Sequence, residues 1–125
     1  MTNLDRNKRN EIKREYKEMK RKKGVYQITN LVNGKIFIGS NRDLDTVFNR
    51  IRFELDHNSF RNKQLQDEWL QYGEEQFRFE VIDVLDEKER EYGFAEAVKK
   101  LGEMEQAWLE ELQPYGEKGY HGAGV

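Results

Sequence analysis

The chain has 125 residues, 36% of them hydrophobic and 37% charged, with a formal net charge of −2; one domain is expected, with a small core under a heavily charged surface. It has no cysteine, which excludes disulfide scaffolds, zinc–thiolate sites and cysteine nucleophiles and points to a reducing compartment. No apolar run approaches a membrane span, and the opening stretch MTNLDRNKRNEIKREYKEMKRKKG lacks the apolar core of a secretory signal, so a cytoplasmic location is expected.

Charge divides the chain. Residues 1–23 hold ten Lys or Arg against four Asp or Glu, whereas residues 24–125 hold twelve against twenty. The first stretch reads as a basic helical arm, the rest as a domain of its own. The arm either touches phosphates or an acidic partner, or is a solvated helix paired within itself. Within it Ile12, Tyr16 and Met19 are spaced four and three apart, which predicts one narrow buried edge, and Gly24 is placed to cap its end.

Strand signals follow at 25–31 (VYQITNL) and 35–40 (KIFIGS), joined by VNGK as a tight hairpin. Val25, Gln27, Thr29 and Leu31 share one face of the first strand, and Tyr26, Ile28 and Asn30 the other. Apolar residues on both faces predict a hairpin covered on both sides. Residues 43–56 predict a helix from Leu44, Val47, Phe48, Ile51 and Leu55, with Asp43 as its cap. After the loop HNSFRN, Asn62 is placed to cap a helix over 63–72 that Gly73 stops. Residues 77–85 alternate as a third strand, with Phe77, Phe79, Val81 and Asp83 on one face. Residues 94–112 predict the last helix, its stripe running through Phe94, Ala97, Val98, Leu101, Met104, Trp108, Leu109 and Leu112. Pro114 ends it, and a glycine-rich irregular tail follows. The sum is an α+β domain: a three-stranded, mostly antiparallel sheet flanked by helices.

Glu105 lies inside the last stripe. Such a carboxylate is either at the stripe edge, reaching water, or partly buried against a cation or a divalent metal, because an unpaired buried charge is costly. Tyr26 reads as a packing phenol, Arg50 with Glu54 as a surface ion pair, and His57 and His121 as surface or capping residues. No P-loop, HExxH, CxxC or serine elbow occurs, and no organic cofactor is expected.

Taken together the residues are more specific. GVY at 24–26, then FIGS beginning eleven residues after Tyr26 at Phe37, resembles the paired signature of the GIY-YIG nuclease superfamily. FNRIRFELDH, NKQLQDEWLQYGEEQFRFEVIDVL and MEQAWLEELQPYGEKGYH resemble its later segments in the same order. The resemblance implies a divalent-metal-dependent DNA endonuclease. Tyr26 would act at the scissile phosphate, and Glu105 would hold one Mg²⁺ or Mn²⁺. An arginine would add positive charge: Arg50 first, with Arg42 and Arg52 as fallbacks. Phe37 stands where the family has its second tyrosine, and His121 where it has an asparagine. Counting from Gly39 at the family spacing places the arginine at Val47 instead, and Glu54 stands where a histidine would follow. DNA is the expected partner, through Lys22, Lys23, Lys35, Arg42, Arg52 and His57. The other reading is a weak or inactive GIY-YIG-like module that binds nucleic acid or protein through the same cleft; a third is a structural domain whose basic arm pairs with the acidic body.

Overall fold

The computed structural model describes residues 22–122; the expected helix of the basic arm lies outside them. Three strands, β1 (Gly24–Asn30), β2 (Ile36–Asn41) and β3 (Phe77–Val84), form one sheet in the order β2-β1-β3. Both pairings are antiparallel. The VNGK turn closes as its chemistry requires. Gly34 takes φ 78°, and Asn30 N–H donates to the Lys35 carbonyl at 2.9 Å, a left-handed position that glycine fills without steric cost.

Helices α1 (Leu44–Asp56) and α2 (Lys63–Tyr72) cover one face of the sheet, and α3 (Phe94–Leu112) covers the other along β1 and β2. The caps fall where the sequence puts them. Asp43 accepts from the N–H groups of Asp45 and Thr46, Asn62 accepts from Leu65, and Gly73 ends α2 at φ 87°. Each satisfies a helix-end group that lacks an intrahelical partner. Tyr26, Ile28, Phe37 and Phe77 from the sheet pack with Leu44, Val47, Ile51 and Leu55 of α1 and with Leu65 and Trp69 of α2. Trp69 Nε1–H also donates to Asp56 at 3.0 Å, tying α2 to the end of α1.

Four expectations are corrected. Gly24 does not take the left-handed cap conformation; it opens β1, where a Cβ would lie 2.0 Å from the Asp83 carbonyl oxygen. Asp83 does not share a face with Val81. The β1–β3 register slips between Val25 and Tyr26, so Val25 faces Asp83 while Tyr26 faces Val81. The extra residue turns Asp83 toward α3, where Trp108 Nε1–H donates to it at 2.9 Å; such a bulge re-aims a side chain. Leu31 lies past the end of β1 and is exposed rather than completing its inner face. Phe94 and Val98 are not core: Phe94 is 71% exposed, and both line a groove with Arg42, Asp43 and Leu101.

The tail is more ordered than its glycines suggest. Gly119 bridges Ile36 in parallel, and Tyr120 N–H donates to the Ile36 carbonyl at 3.0 Å. Buried Asn30 donates to Tyr120 Oη at 3.0 Å and to Glu68 at 3.2 Å, while its own Oδ1 accepts from Val32 N–H. A buried polar group satisfied on all sides specifies one arrangement of the segments it joins. Here it locks the hairpin, α2 and the tail together beside β2.

Candidate active site

The site starts from a missing side chain. Tyr26 stands directly opposite Gly39 in the β1–β2 ladder. A Cβ at residue 39 would fall 2.3 Å from Tyr26 Oη. The phenol therefore lies across edge strand β2 with its hydroxyl over the Gly39 backbone. The ring is 3% exposed and is held edge-on by Phe48 at 5.8 Å between centroids.

Four charges act on that hydroxyl from three elements: Arg61 from the α1–α2 loop, Glu105 from α3, and Arg50 and Glu54 from α1. Burial pushes the Tyr26 phenol above its ordinary value of 10.0; Arg61 pulls it back, Glu105 pushes it further, and Arg50 and Glu54 act more weakly in opposite senses. Tyr26 is thus a neutral phenol at physiological pH, able to donate and accept hydrogen bonds.

The two arginines differ in what else they do. Arg50 Nε pairs with Glu54 at 3.5 Å, four residues on along α1. Arg61 makes no ion pair or hydrogen bond among the described residues and stands 5.5 Å from the Phe37 ring centroid. Nothing in the spacing of a loop residue marks Arg61 beforehand; the cue lies in Phe60 and Asn62 on either side. Phe60 packs edge-on against Phe37 and its N–H donates to buried Gln66, whose amide in turn donates to the Leu55 carbonyl at 2.7 Å. Asn62 donates to the Tyr120 carbonyl at 2.8 Å.

His121 is the other polar group here. It stacks on Phe37 at 5.0 Å and 15°, and Ile38 N–H donates to its Nε2 at 2.9 Å. Nε2 is therefore the bare nitrogen and Nδ1 carries the proton in the neutral ring. Burial, with Arg61 beside it, holds His121 below its ordinary value of 6.5. A depressed folded-state value means that the unfolded chain binds this proton more readily. The His121 contribution to stability is thus complete above pH 6.5 and lost as pH falls through the folded value. In urea unfolding from pH 7.5 down to about 4.5, His121→Phe should lose less stability than wild type; parallel curves would refute the linkage.

Glu105 is half-buried and has no hydrogen bond or ion pair among the described residues. It reaches water in part and has no direct partner, which is compatible with the stripe-edge reading. As a metal site the donor set is sparse. Among the described residues no three His, Cys, Asp or Glu side chains cluster. A single carboxylate still suits Mg²⁺ or Mn²⁺, because a hard cation of this kind keeps several waters and completes its shell with substrate phosphate oxygens.

The remaining candidates make contacts within the fold. Lys23 pairs with Glu87 at 2.9 Å. The Lys22 carbonyl accepts from Leu44 N–H. Lys35 approaches Glu68 at 4.0 Å and the Tyr120 ring at 6.0 Å. Arg42 covers Phe94 at 4.1 Å and Arg52 covers Phe79 at 4.3 Å. His57 closes the end of α1, with Nδ1 2.8 Å from the Phe53 carbonyl and its ring on Phe53.

No family model matches the sequence, and no curated protein matches it. Two solved structures do share its fold. Both are of the catalytic domain of the endonuclease I-TevI, described as an intron and a homing endonuclease, one of them a glutamate-to-alanine variant. Each is 23% identical to this chain. They cover 80% and 78% of it and 92% and 95% of their own lengths, with TM-scores of 0.65 and 0.63. The fold is GIY-YIG-like: a three-stranded antiparallel sheet with helices on both faces.

Proposed function

We propose that this domain is a slow, divalent-metal-dependent DNA endonuclease of GIY-YIG type. The observation that carries the reading is the buried Tyr26 hydroxyl set over the Gly39 backbone, with Arg61, Glu105, Arg50 and Glu54 acting on it from the α1–α2 loop, α3 and α1. A phosphodiester needs such a set, with positive charge for its oxygens, a carboxylate for a metal, and a hydroxyl to orient water.

In this reading Glu105 holds one Mg²⁺ or Mn²⁺. When bound, the ion would stabilise negative charge on the phosphate and the leaving oxygen. The chain's own residues do the rest. Tyr26, neutral because burial disfavours its phenolate, accepts a hydrogen bond from the attacking water and so orients it, while the proton that the water gives up passes to bulk solvent. Arg50 and Arg61 supply positive field where negative charge grows. Phe37 contributes no oxygen, so the water has one hydroxyl to guide it, which is the reason for expecting slow turnover.

A second reading has its own support. Phe37 is 3% exposed and Val47 1%, apolar core residues where the family signature has a second tyrosine and, counted from Gly39, an arginine. These substitutions favour a domain that binds DNA through the cleft without cutting it. The test is nicking of supercoiled plasmid in Mg²⁺, in Mn²⁺ and in EDTA. Metal-dependent nicking that EDTA abolishes is expected; duplex binding with no nicking in either metal would replace the first reading with the second.

A further inference from the structure

We propose that Arg61 and His121 form a phosphate seat on the Phe37 ring and are the residues by which the domain grips a nucleic-acid phosphodiester; the proposal rests on the nucleic-acid reading above and deepens it. The seat joins three segments that are far apart in sequence. Arg61 comes from the α1–α2 loop, Phe37 from β2 and His121 from the tail.

The segments are fixed before any ligand arrives. Asn62, next to Arg61, donates to the carbonyl of Tyr120, next to His121, at 2.8 Å. Buried Gln66 holds the loop at Phe60 on one side and Leu55 on the other. Tyr120 is anchored by Asn30 and Glu68, and His121 by Ile38 N–H. A donor pair held this firmly loses little freedom on binding an anion.

Two donors beside the Phe37 ring have no partner among the described residues. The Arg61 guanidinium has no carboxylate partner among the described residues and lies 5.5 Å from the Phe37 centroid. Its planar fork matches two phosphate oxygens. The His121 ring lies parallel to Phe37 at 5.0 Å, and its Nε2 is taken by Ile38, which leaves the Nδ1–H as the second donor. Phe37 offers no oxygen to compete for either. Arg50, by contrast, is engaged with Glu54. The loop arginine, rather than the one on α1, makes the direct contact.

Two measurements on the full-length protein test this. The first is binding of a short DNA duplex by fluorescence anisotropy over a KCl series. Arg61→Ala should weaken binding about tenfold or more, as loss of a charge-assisted hydrogen bond does, and lower the salt slope by about one. Arg61→Lys should restore the slope but not the full affinity. His121→Phe, which keeps the stacked ring, should weaken binding with little change of slope. Lys88→Ala should change neither. The second is NMR of wild type titrated with the dinucleoside monophosphate TpT; the Arg61 Nε–H and His121 ring resonances should shift.

The outcomes separate the two claims. If wild type nicks or binds DNA while Arg61→Ala and His121→Phe bind with its affinity and slope, the seat is wrong and the DNA reading stands. If wild type neither nicks nor binds duplex yet TpT shifts both side chains, the seat stands and the DNA reading fails. No shift with TpT and no DNA binding overturns both.

Discussion

Glu105→Ala should lower metal-dependent nicking by about 10²–10³-fold, the effect of losing several kcal/mol of Lewis-acid stabilisation, and should leave the fold as stable as before or more so. The two halves of this expectation come from one observation. Glu105 is half-buried on α3 and has no hydrogen-bond or ion-pair partner among the described residues. A carboxylate in that setting has no direct hydrogen bond or ion pair to lose, and alanine is the better helix former. Nicking rates should be read beside thermal unfolding of both proteins. Equal nicking by wild type and Glu105→Ala would remove the metal role from this residue. A large loss of unfolding temperature would show instead that the carboxylate has a structural partner.

The residues that set this site differ in how far the sequence announces them. The bounds of α3 and the three caps at Asp43, Asn62 and Gly73 are visible because they depend on local chemistry: apolar spacing along a helix, and short polar or glycine residues at its ends. The hairpin is visible for a similar reason, and its fixed turn sets the register that pairs Tyr26 with Gly39 in the structure. The β1–β3 bulge is not. Period-two alternation continues through Val81 and Asp83 in the sequence, and only the long-range pairing shows that one residue is extra. Phe94 and Val98 mislead in the same way, because a stripe of correct spacing does not say where the sheet beneath it ends. Arg61 is hidden twice over. It sits in a loop with no periodicity, and its neighbours at the site, Phe37 and His121, are 24 positions before it and 60 after it. Of the polar residues that hold it, Asn62 reads only as a cap and Gln66 only as an ordinary helix residue until their partners at Tyr120 and Leu55 are seen.

Gly39→Ala should abolish nicking while costing about 1–3 kcal/mol of stability, the range for overpacking a filled site. The added Cβ would stand 2.3 Å from Tyr26 Oη and 2.4 Å from its Cζ. These atoms are the far end of a side chain, so the clash is relieved by moving the ring. The ring is not free to move, however, because Phe48 meets it edge-on and Phe37 lies 6.4 Å away. Whatever motion occurs takes the hydroxyl off its place over the Gly39 backbone, and a catalytic group displaced by about 1 Å loses on the order of 10²-fold. Gly24→Ala is the informative counterpart. Its Cβ would meet the Asp83 carbonyl oxygen at 2.0 Å and the Val84 Cα at 2.9 Å, backbone atoms that cannot rotate away, so it should be the more destabilising of the two. Urea unfolding with plasmid nicking on the surviving folded protein separates the two effects. The two glycines of the hairpin signature then have different reasons to be there: one lets β3 approach β1, and the other makes room for the Tyr26 hydroxyl. If Gly39→Ala nicks at the wild-type rate, Tyr26 is not held where the chemistry occurs, and the charges gathered around it serve packing alone.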